Sequence, residues 1–342
     1  MNCVTPPGAV LRWAAWYVPD PEVTSEELAT RLGIDVADIV HRTGIHARRW
    51  APPEQSTATL GALAAQRLFK ETGIDPSTVD RVLLSTTSPD MAFPSTACLV
   101  QHALGLRGGG AMDVFASCTG FLAALSMARA AIRTGDARRV LVISADVKSR
   151  FLDLRDPSTA ILFGDGAGAA LVDADPHGTL AGGRVGPITL RTDGSRWAYV
   201  HMPAGGSRKP LTHATVAAGE HSLKMDGIPL FRTAVSRFSE IVRAELERGG
   251  IGMDDVACFV FHQANLRILE AVAKRLGISR ERICTTLERY GNTSSASLPI
   301  TLGAALAEGR LQAGDTALLA TFGGGLTWGA CCLEWRGGEV LP

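Results

Sequence analysis

The chain has no net charge, no paired-cysteine spacing and no apolar run long enough to cross a membrane. Its 34 Lys and Arg balance 34 Asp and Glu. Bulk electrostatics therefore favours neither nucleic acid nor a membrane surface as a partner, and a charged partner must be met by a local patch. The seven cysteines (Cys3, Cys98, Cys118, Cys258, Cys284, Cys331 and Cys332) are odd in number, scattered and never in C-x-x-C spacing. That argues against a disulfide framework and a zinc site, and points to a reducing compartment. No stretch approaches 18 uninterrupted apolar residues, and no basic segment followed by an apolar one opens the chain. A cytoplasmic protein without a bound metal is expected. A nucleotide fingerprint is missing too. Residues 161–172, Ile-Leu-Phe-Gly-Asp-Gly-Ala-Gly-Ala-Ala-Leu-Val, lack the Lys-Ser/Thr of a P-loop, and strand-like residues follow the glycines where a helix is needed. They read as a glycine turn between two strands.

What is present is a globular chain of 342 residues, 46% hydrophobic, long enough for two core-bearing units. Residues 9–18 read as a strand, 24–32 as a helix capped by Thr24 or Ser25, 42–50 as a solvated loop or edge strand, and 57–72 as an amphipathic helix. Strands are expected at 81–87, 112–115 and 139–145, with a turn at Phe93-Pro-Ser and a helix at 119–133. Residues 173–224 are polar and Gly-rich and read as surface strands and a loop, before a helix at 230–248. The last third repeats the order of the first half: strand 256–261, a helix start after Asn292, strand 316–325 and strand 328–335. The offsets agree, 118−82 = 36 against 292−258 = 34, and 140−82 = 58 against 317−258 = 59. Two similar α/β halves, 1–175 and 176–342, are expected, with Cys118 and Asn292 near a common pseudo-twofold axis.

Cys118 lies where a short apolar strand meets a long small-residue helix. Free N–H groups and the dipole at a helix start favour a thiolate, so a lowered thiol pKa is expected; an ordinary buried cysteine is the alternative. His262 follows a strand and Asn292 precedes a helix, so both can converge with Cys118 at one sheet edge, although a structural histidine and a Gly-Asn turn read equally well in isolation. A cysteine nucleophile implies acyl transfer through a thioester. An imidazole and an amide donating to one oxygen would stabilise an enolate, the species formed when a malonyl thioester loses carbon dioxide. The run Gly323-Gly-Gly325 would let backbone N–H groups approach the acyl group.

Ala-Ser-Cys118-Thr-Gly-Phe, His262-Gln-Ala-Asn-Leu-Arg267, Gly-Asn292-Thr-Ser, Phe163-Gly-Asp-Gly-Ala-Gly and Phe322-Gly-Gly-Gly-Leu-Thr-Trp-Gly329 occur in order over nearly the whole chain. Together they resemble β-ketoacyl-acyl-carrier-protein synthase III. The resemblance implies a thiolase-like fold of two duplicated βαβ halves, layered α-β-α-β-α, and a homodimer. It implies a triad in which Cys118 is acylated while His262 and Asn292 assist decarboxylation and condensation of malonyl carrier protein to a 3-oxoacyl product. The N–H groups of Cys118 and Gly324 would form the oxyanion hole. Phe322 would shield the triad, Leu326 would join Phe322 at the substrate pocket, and Phe93 would close the acyl pocket across the dimer interface. Arg42 would meet the acyl donor, and Arg267, Lys274 and Arg275 would meet the acidic acyl carrier protein. No permanently bound cofactor is implied, only an acyl-CoA or acyl-carrier-protein thioester as substrate. Thiolases, with a second catalytic Cys, and elongating ketosynthases, with two His, match less well.

Two positions depart from the family pattern. Asp38 and Pro157 stand where a Trp and an Arg commonly contact the adenine nucleotide of coenzyme A. Losing an aromatic face and a cation weakens that recognition, which points to a carrier-protein donor and a pathway-specific, secondary-metabolic role. The same departures suit an acyltransferase that moves the acyl group to a hydroxyl, an amine or another carrier without decarboxylation. A non-catalytic partner subunit is disfavoured by the intact triad.

Overall fold

A computed structural model describes residues 6–338, so Cys3 and the outer ends of the two expected halves lie outside the described residues. Ten strands build the main sheet. β1 (Gly8–Tyr17), β2 (Arg81–Ser85), β3 (Gly110–Val114), β4 (Arg139–Asp146) and β5 (Gly166–Asp175) belong to the first half of the chain. β6 (Gly183–Thr192), β7 (Val256–Phe261), β8 (Ile283–Cys284), β9 (Thr316–Gly323) and β10 (Thr327–Trp335) belong to the second. The spatial orders β1-β5-β4-β2-β3 and β6-β10-β9-β7-β8 are the same when each set is counted from its own first strand. The directions repeat as well. β2 is parallel to β3 and β4, while β5 is antiparallel to β4 and β1. β7 is parallel to β8 and β9, while β10 is antiparallel to β9 and β6. The two sets meet edge to edge only through Val10↔Arg184 and Leu11↔Gly183.

Helices cover both faces, which is why the strand sequences are near-continuous apolar runs. Helix Thr57–Thr72 packs on β1, β4 and β5, and helices Gly227–Gly249 and Leu266–Leu276 close the far side of the second half. Between the halves lie helices Gly120–Thr134 and Ser297–Ala307, each touching strands of both. Ser297–Ala307 has no solvent face, every residue but Ala307 being buried, whereas Gly120–Thr134 keeps Met127, Ala130 and Arg133 exposed. The result is the expected α-β-α-β-α layering, the thiolase-like fold.

Residues 183–192, expected among surface strands and a loop, are β6, the first strand of the second half, ten residues long, largely solvent-facing and paired on β10. Two local expectations need correction. The glycines of 164–168 do not form a turn between two strands. A short helix, Pro157–Ala160, precedes them, and Gly166 and Gly168 lie inside β5. A Cβ on Gly168 would meet Pro299 at 2.7 Å, so their smallness lets helix Ser297–Ala307 lie against the strand. The segment 42–50 is not solvated throughout. Arg48 is fully buried, donating to Val23 O, Ser25 Oγ and Ile161 O at 3.3, 3.2 and 2.8 Å, and burial lowers its pKa to about 10. No helix of the described residues is long and apolar enough to cross a membrane.

Candidate active site

A cavity of about 620 Å³ opens where the two sets of strands end together, and Cys118, His262 and Asn292 all line it. Among the described cysteines only Cys118 does so; Cys258, Cys284 and Cys331 are buried in packing. Cys118 stands on a short 3₁₀ turn, Ser117–Thr119, which runs directly into helix Gly120–Thr134. Ser117 holds φ 51°, a left-handed conformation unusual for a serine, and so turns the next side chain off the end of β3 toward the cavity. The turn is gripped from the other half: Thr321 Oγ1 donates to Cys118 O at 2.8 Å, and Thr119 Oγ1 donates to Thr327 Oγ1 at 3.0 Å. A Cβ on Gly323 would lie 2.7 Å from the Cys118 Cβ, so the glycine run presses backbone against the cysteine.

His262 continues the β7 ladder by one residue, donating from its backbone to Ala320 O at 2.9 Å. Its Nδ1 lies 2.6 Å from Ser297 Oγ, which leaves Nε2 for the cavity. Burial lowers its pKa to about 4, so the ring is neutral at physiological pH. Gln263 fixes the loop that follows. Its Nε2 donates to Phe261 O at 2.6 Å, and its Oε1 accepts from Thr285 Oγ1 and Thr286 N at 3.0 and 3.3 Å. Asn265 then caps helix Leu266–Leu276.

Asn292 is placed by Phe163-Gly-Asp-Gly. Its N–H donates to Leu162 O at 2.9 Å and its carbonyl accepts from Gly164 N at 3.1 Å. A Cβ on Gly164 would fall 2.2 Å from Tyr290 O, which is why that position is glycine. The side-chain Oδ1 of Asn292 accepts from Ser294 N at 2.9 Å. With the oxygen occupied, the amide NH₂ is the group free to donate.

The expectation of a lowered thiol pKa does not hold. Burial pushes the Cys118 thiol up and Asp146 adds to it, against opposing contributions from Lys148, Ser294 and Ser117. A thiol pushed up in this way has to hand its proton on during reaction. The expected equivalence of Cys118 and Asn292 also shifts. Ser294 has φ 55° and opens its own 3₁₀ turn, Ser294–Ala296, ahead of helix Ser297–Ala307. The repeat thus pairs Ser117 with Ser294 and Cys118 with Ser295, leaving Asn292 three residues upstream.

The other expected residues divide. Phe322 and Arg42 line the cavity, as does Gly324. Leu326 does not: its backbone exchanges hydrogen bonds of 2.8 and 2.9 Å with Asp193, and its side chain is fully buried in the second core. Phe93 lies outside the cavity wall of its own chain, 87% exposed. Arg267, Lys274 and Arg275 are exposed on one helix, with Arg267 held to His41 O at 3.1 Å. Sequence reasoning missed Ser297, which orients His262, and the buried Asp146 with Lys148. The repeat offset would have found the latter two, since Asp146 and Gly323 end equivalent strands, β4 and β9.

The paired halves and the cysteine, histidine and asparagine at their common end define a ketosynthase-type member of the thiolase-like fold. Residues 112–194 match the profile for 3-oxoacyl-[acyl-carrier-protein (ACP)] synthase III, and residues 246–335 match its C-terminal profile. A β-ketoacyl-[acyl-carrier-protein] synthase III of Natranaerobius thermophilus is 40% identical over 318 residues, 93% of this chain and 96% of the relative. The crystal structure of 3-oxoacyl-(acyl carrier protein) synthase III from Pseudomonas aeruginosa PAO1 superposes with TM-score 0.89 at 34% identity, covering 98% of this chain and all of that one. A priming β-ketosynthase from a polyketide biosynthetic pathway is equally similar, with TM-score 0.89, 33% identity and 98% of each chain covered. The chain belongs to the β-ketoacyl-acyl-carrier-protein synthase III family, and is an enzyme of the ketosynthase III type.

Proposed function

We propose that Cys118 takes an acyl group from a thioester donor and that the acyl group is then joined to malonyl-acyl carrier protein with loss of carbon dioxide. In acylation the Cys118 sulfur bonds to the acyl carbon, the donor's carbon–sulfur bond breaks, and the thiol proton leaves with the donor thiol. Loss of carbon dioxide from the malonyl group leaves an enolate, whose oxygen accepts from His262 Nε2–H and Asn292 Nδ2–H. The carbanion attacks the acyl carbonyl, and the N–H groups of Cys118 and Gly324 hold the resulting oxyanion. Collapse expels the Cys118 thiolate, which takes up a proton, and gives a 3-oxoacyl-acyl carrier protein.

The observation that carries this reading is how the two far atoms are occupied: Ser294 N–H donates to Asn292 Oδ1, which leaves its amide NH₂ to donate, and Ser297 Oγ pairs with His262 Nδ1, which leaves Nε2 toward the cavity; in the tautomer this reading uses, the Ser297 hydroxyl donates to Nδ1 and Nε2 carries the proton. Residues 1–175 supply the nucleophile, and 176–342 supply the His, the Asn and Gly324. The exposed Met91, Phe93, Met112 and Phe115 near the open edge strand β3 support a homodimer in which Phe93 reaches the partner's pocket. Arg267, Lys274 and Arg275, seven and eight residues apart on one helix, are separated by about 10 Å along it and suit an acidic carrier protein. The donor is a carrier-protein or coenzyme A thioester met at Arg42, no cofactor is permanently bound, and the enzyme is a cytoplasmic acyltransferase.

Carbon dioxide release from carboxyl-labelled malonyl carrier protein tests this. Release that requires both an acyl donor and Cys118 is expected. Acylated Cys118 without release would overturn condensation in favour of acyl transfer to a hydroxyl, an amine or another carrier.

A further inference from the structure

Two Lys or Arg side chains line the cavity among the described residues. Arg42 is exposed at its mouth, whereas Lys148 is 8% exposed and no Asp or Glu shares the wall with it. Its counter-ion sits behind it. The fully buried Asp146 lies 3.4 Å from Lys148 Nζ, and its Oδ1 also accepts from Thr87 N, Thr87 Oγ1 and Ser88 Oγ at 2.9, 3.1 and 3.1 Å. Lys148 Nζ donates in addition to Thr87 Oγ1. An ammonium carries three N–H groups; Thr87 takes one, Asp146 is an ion-pair partner at 3.4 Å, and the Phe151 ring lies 6.0 Å from Nζ. The remaining hydrogen-bonding capacity meets a cavity whose wall is mostly apolar. A plain alkyl acyl chain would strip water from the ammonium and offer no acceptor in return.

We propose that Lys148, braced by Asp146 and Thr87, forms a polar subsite for a neutral oxygen, hydroxyl or ketone, carried by the acyl group a few bonds from the thioester. This inference rests on acylation of Cys118 as proposed above. The short distance follows from connectivity: Ser294 Oγ lies 3.9 Å from Cys118 Sγ, and the adjacent Ser295 donates from Oγ to Asp146 Oδ2 at 2.8 Å. The neutrality follows from charge. Lys148 and Asp146 already cancel, so an acyl carboxylate would bring a second anion against Asp146 in a low-dielectric site, whereas a hydroxyl or carbonyl needs only a donor hydrogen.

The test is the rate of adduct formation on Cys118, read by intact-protein mass, with butyryl, 3-hydroxybutyryl, 3-oxobutyryl and succinyl thioesters of N-acetylcysteamine. The full-length wild-type protein should react at least about tenfold faster with the two neutral oxygenated chains than with butyryl. Lys148→Met should remove that preference. The double variant Lys148→Met with Asp146→Asn, which leaves no unpaired buried charge, should do the same if the single variant fails to fold. Butyryl reacting as fast as its oxygenated analogues, succinyl reacting fastest, or a preference unchanged in the folded variant would each overturn the subsite while leaving acylation standing. No adduct on Cys118 from any thioester would overturn the acylation reading and the subsite with it.

Discussion

The two halves of this molecule use one framework for opposite ends. In each, a serine with positive φ opens a 3₁₀ turn before a middle-layer helix: Ser117 ahead of Gly120–Thr134, and Ser294 ahead of Ser297–Ala307. Each turn is faced by the end of the fourth strand of the other half. The end of β9 brings Gly323 against Cys118, and the end of β4 brings Asp146 against Ser295, whose N–H and Oγ donate to it at 3.2 and 2.8 Å. The same exchange of roles occurs one layer away. In the first half Gly120 lets Ser85 approach so closely that a Cβ would meet its Oγ at 1.7 Å; the corresponding Ser297 instead holds His262. One copy became a glycine-walled thiol site and the other a hydrogen-bonded carboxylate cluster. Symmetry of backbone did not require symmetry of chemistry, because the residue facing each turn comes from the opposite copy and can change independently.

The harshest way to break the comparison is to move the nucleophile. Cys118→Ala should eliminate the acyl adduct seen by mass spectrometry, and adding Ser295→Cys should not restore it, since the equivalent position is buried against Asp146 rather than open to the cavity. An adduct on the introduced thiol of that double variant would show the two turns to be interchangeable. Next in size is Gly323→Ala. The new Cβ crowds Cys118 at 2.7 Å, and loss of a backbone path close to the acyl group should cost about 10²–10³ in condensation rate while the fold persists by circular dichroism.

The pH dependence of stability sharpens the contrast between a neutral histidine in one half and a charged carboxylate in the other. His262 has a folded pKa of about 4, below its ordinary 6.5, so the unfolded chain binds more protons between those values. Its contribution is intact above pH 6.5 and is lost as pH falls toward 4, about 3 kcal/mol in all. The difference in unfolding free energy between wild type and His262→Gln should shrink over that window; a constant difference would contradict a buried neutral ring. Asp146 differs in charge, not in the sign of its pH dependence. Burial acts to raise its pKa, but Lys148, Thr87 N–H and the Ser295 and Ser294 hydroxyls outweigh it and hold the carboxyl below the usual range.

Smaller effects come from the supporting contacts. Ser297→Ala removes the partner of His262 Nδ1 and should lower the decarboxylation rate about tenfold, with acylation of Cys118 less affected. Equal losses in both steps would argue that Ser297 serves the packing alone. Arg184→Ala deletes an ion pair with Glu334 near the seam between the halves; both groups are roughly half exposed, so unfolding free energy should change by less than about 1 kcal/mol.

Much of this comparison was legible from the order of residues. Strand periodicity, the repeated offsets and the glycine runs placed β2, β4, β7 and β9 and the residues at their ends. What escaped has physical causes. The β6 segment, Gly-Arg-Val-Gly-Pro-Ile-Thr-Leu-Arg-Thr, is largely solvent-facing and carries glycines demanded by its neighbours; a Cβ on Gly186 would meet Cys332 O at 2.9 Å. Its composition therefore resembles a loop. The direction of the Cys118 shift escaped because a helix start is visible in sequence, whereas the burial of the thiol, and behind it Asp146 from a distant strand, are not. Leu326 escaped because motif position does not say which way a side chain leaves the backbone.

The position of β10 sets when the active site can exist. This last strand, ending at Trp335, lies between β6 and β9, so until the ribosome has made it β6 has no partner on that side and the second set of strands is incomplete. The glycine wall at 323–325 immediately precedes it. Cys118, synthesised in the first half, therefore waits through most of translation for the surface that completes its pocket, and a chain truncated before Thr327 would carry the cysteine without the site.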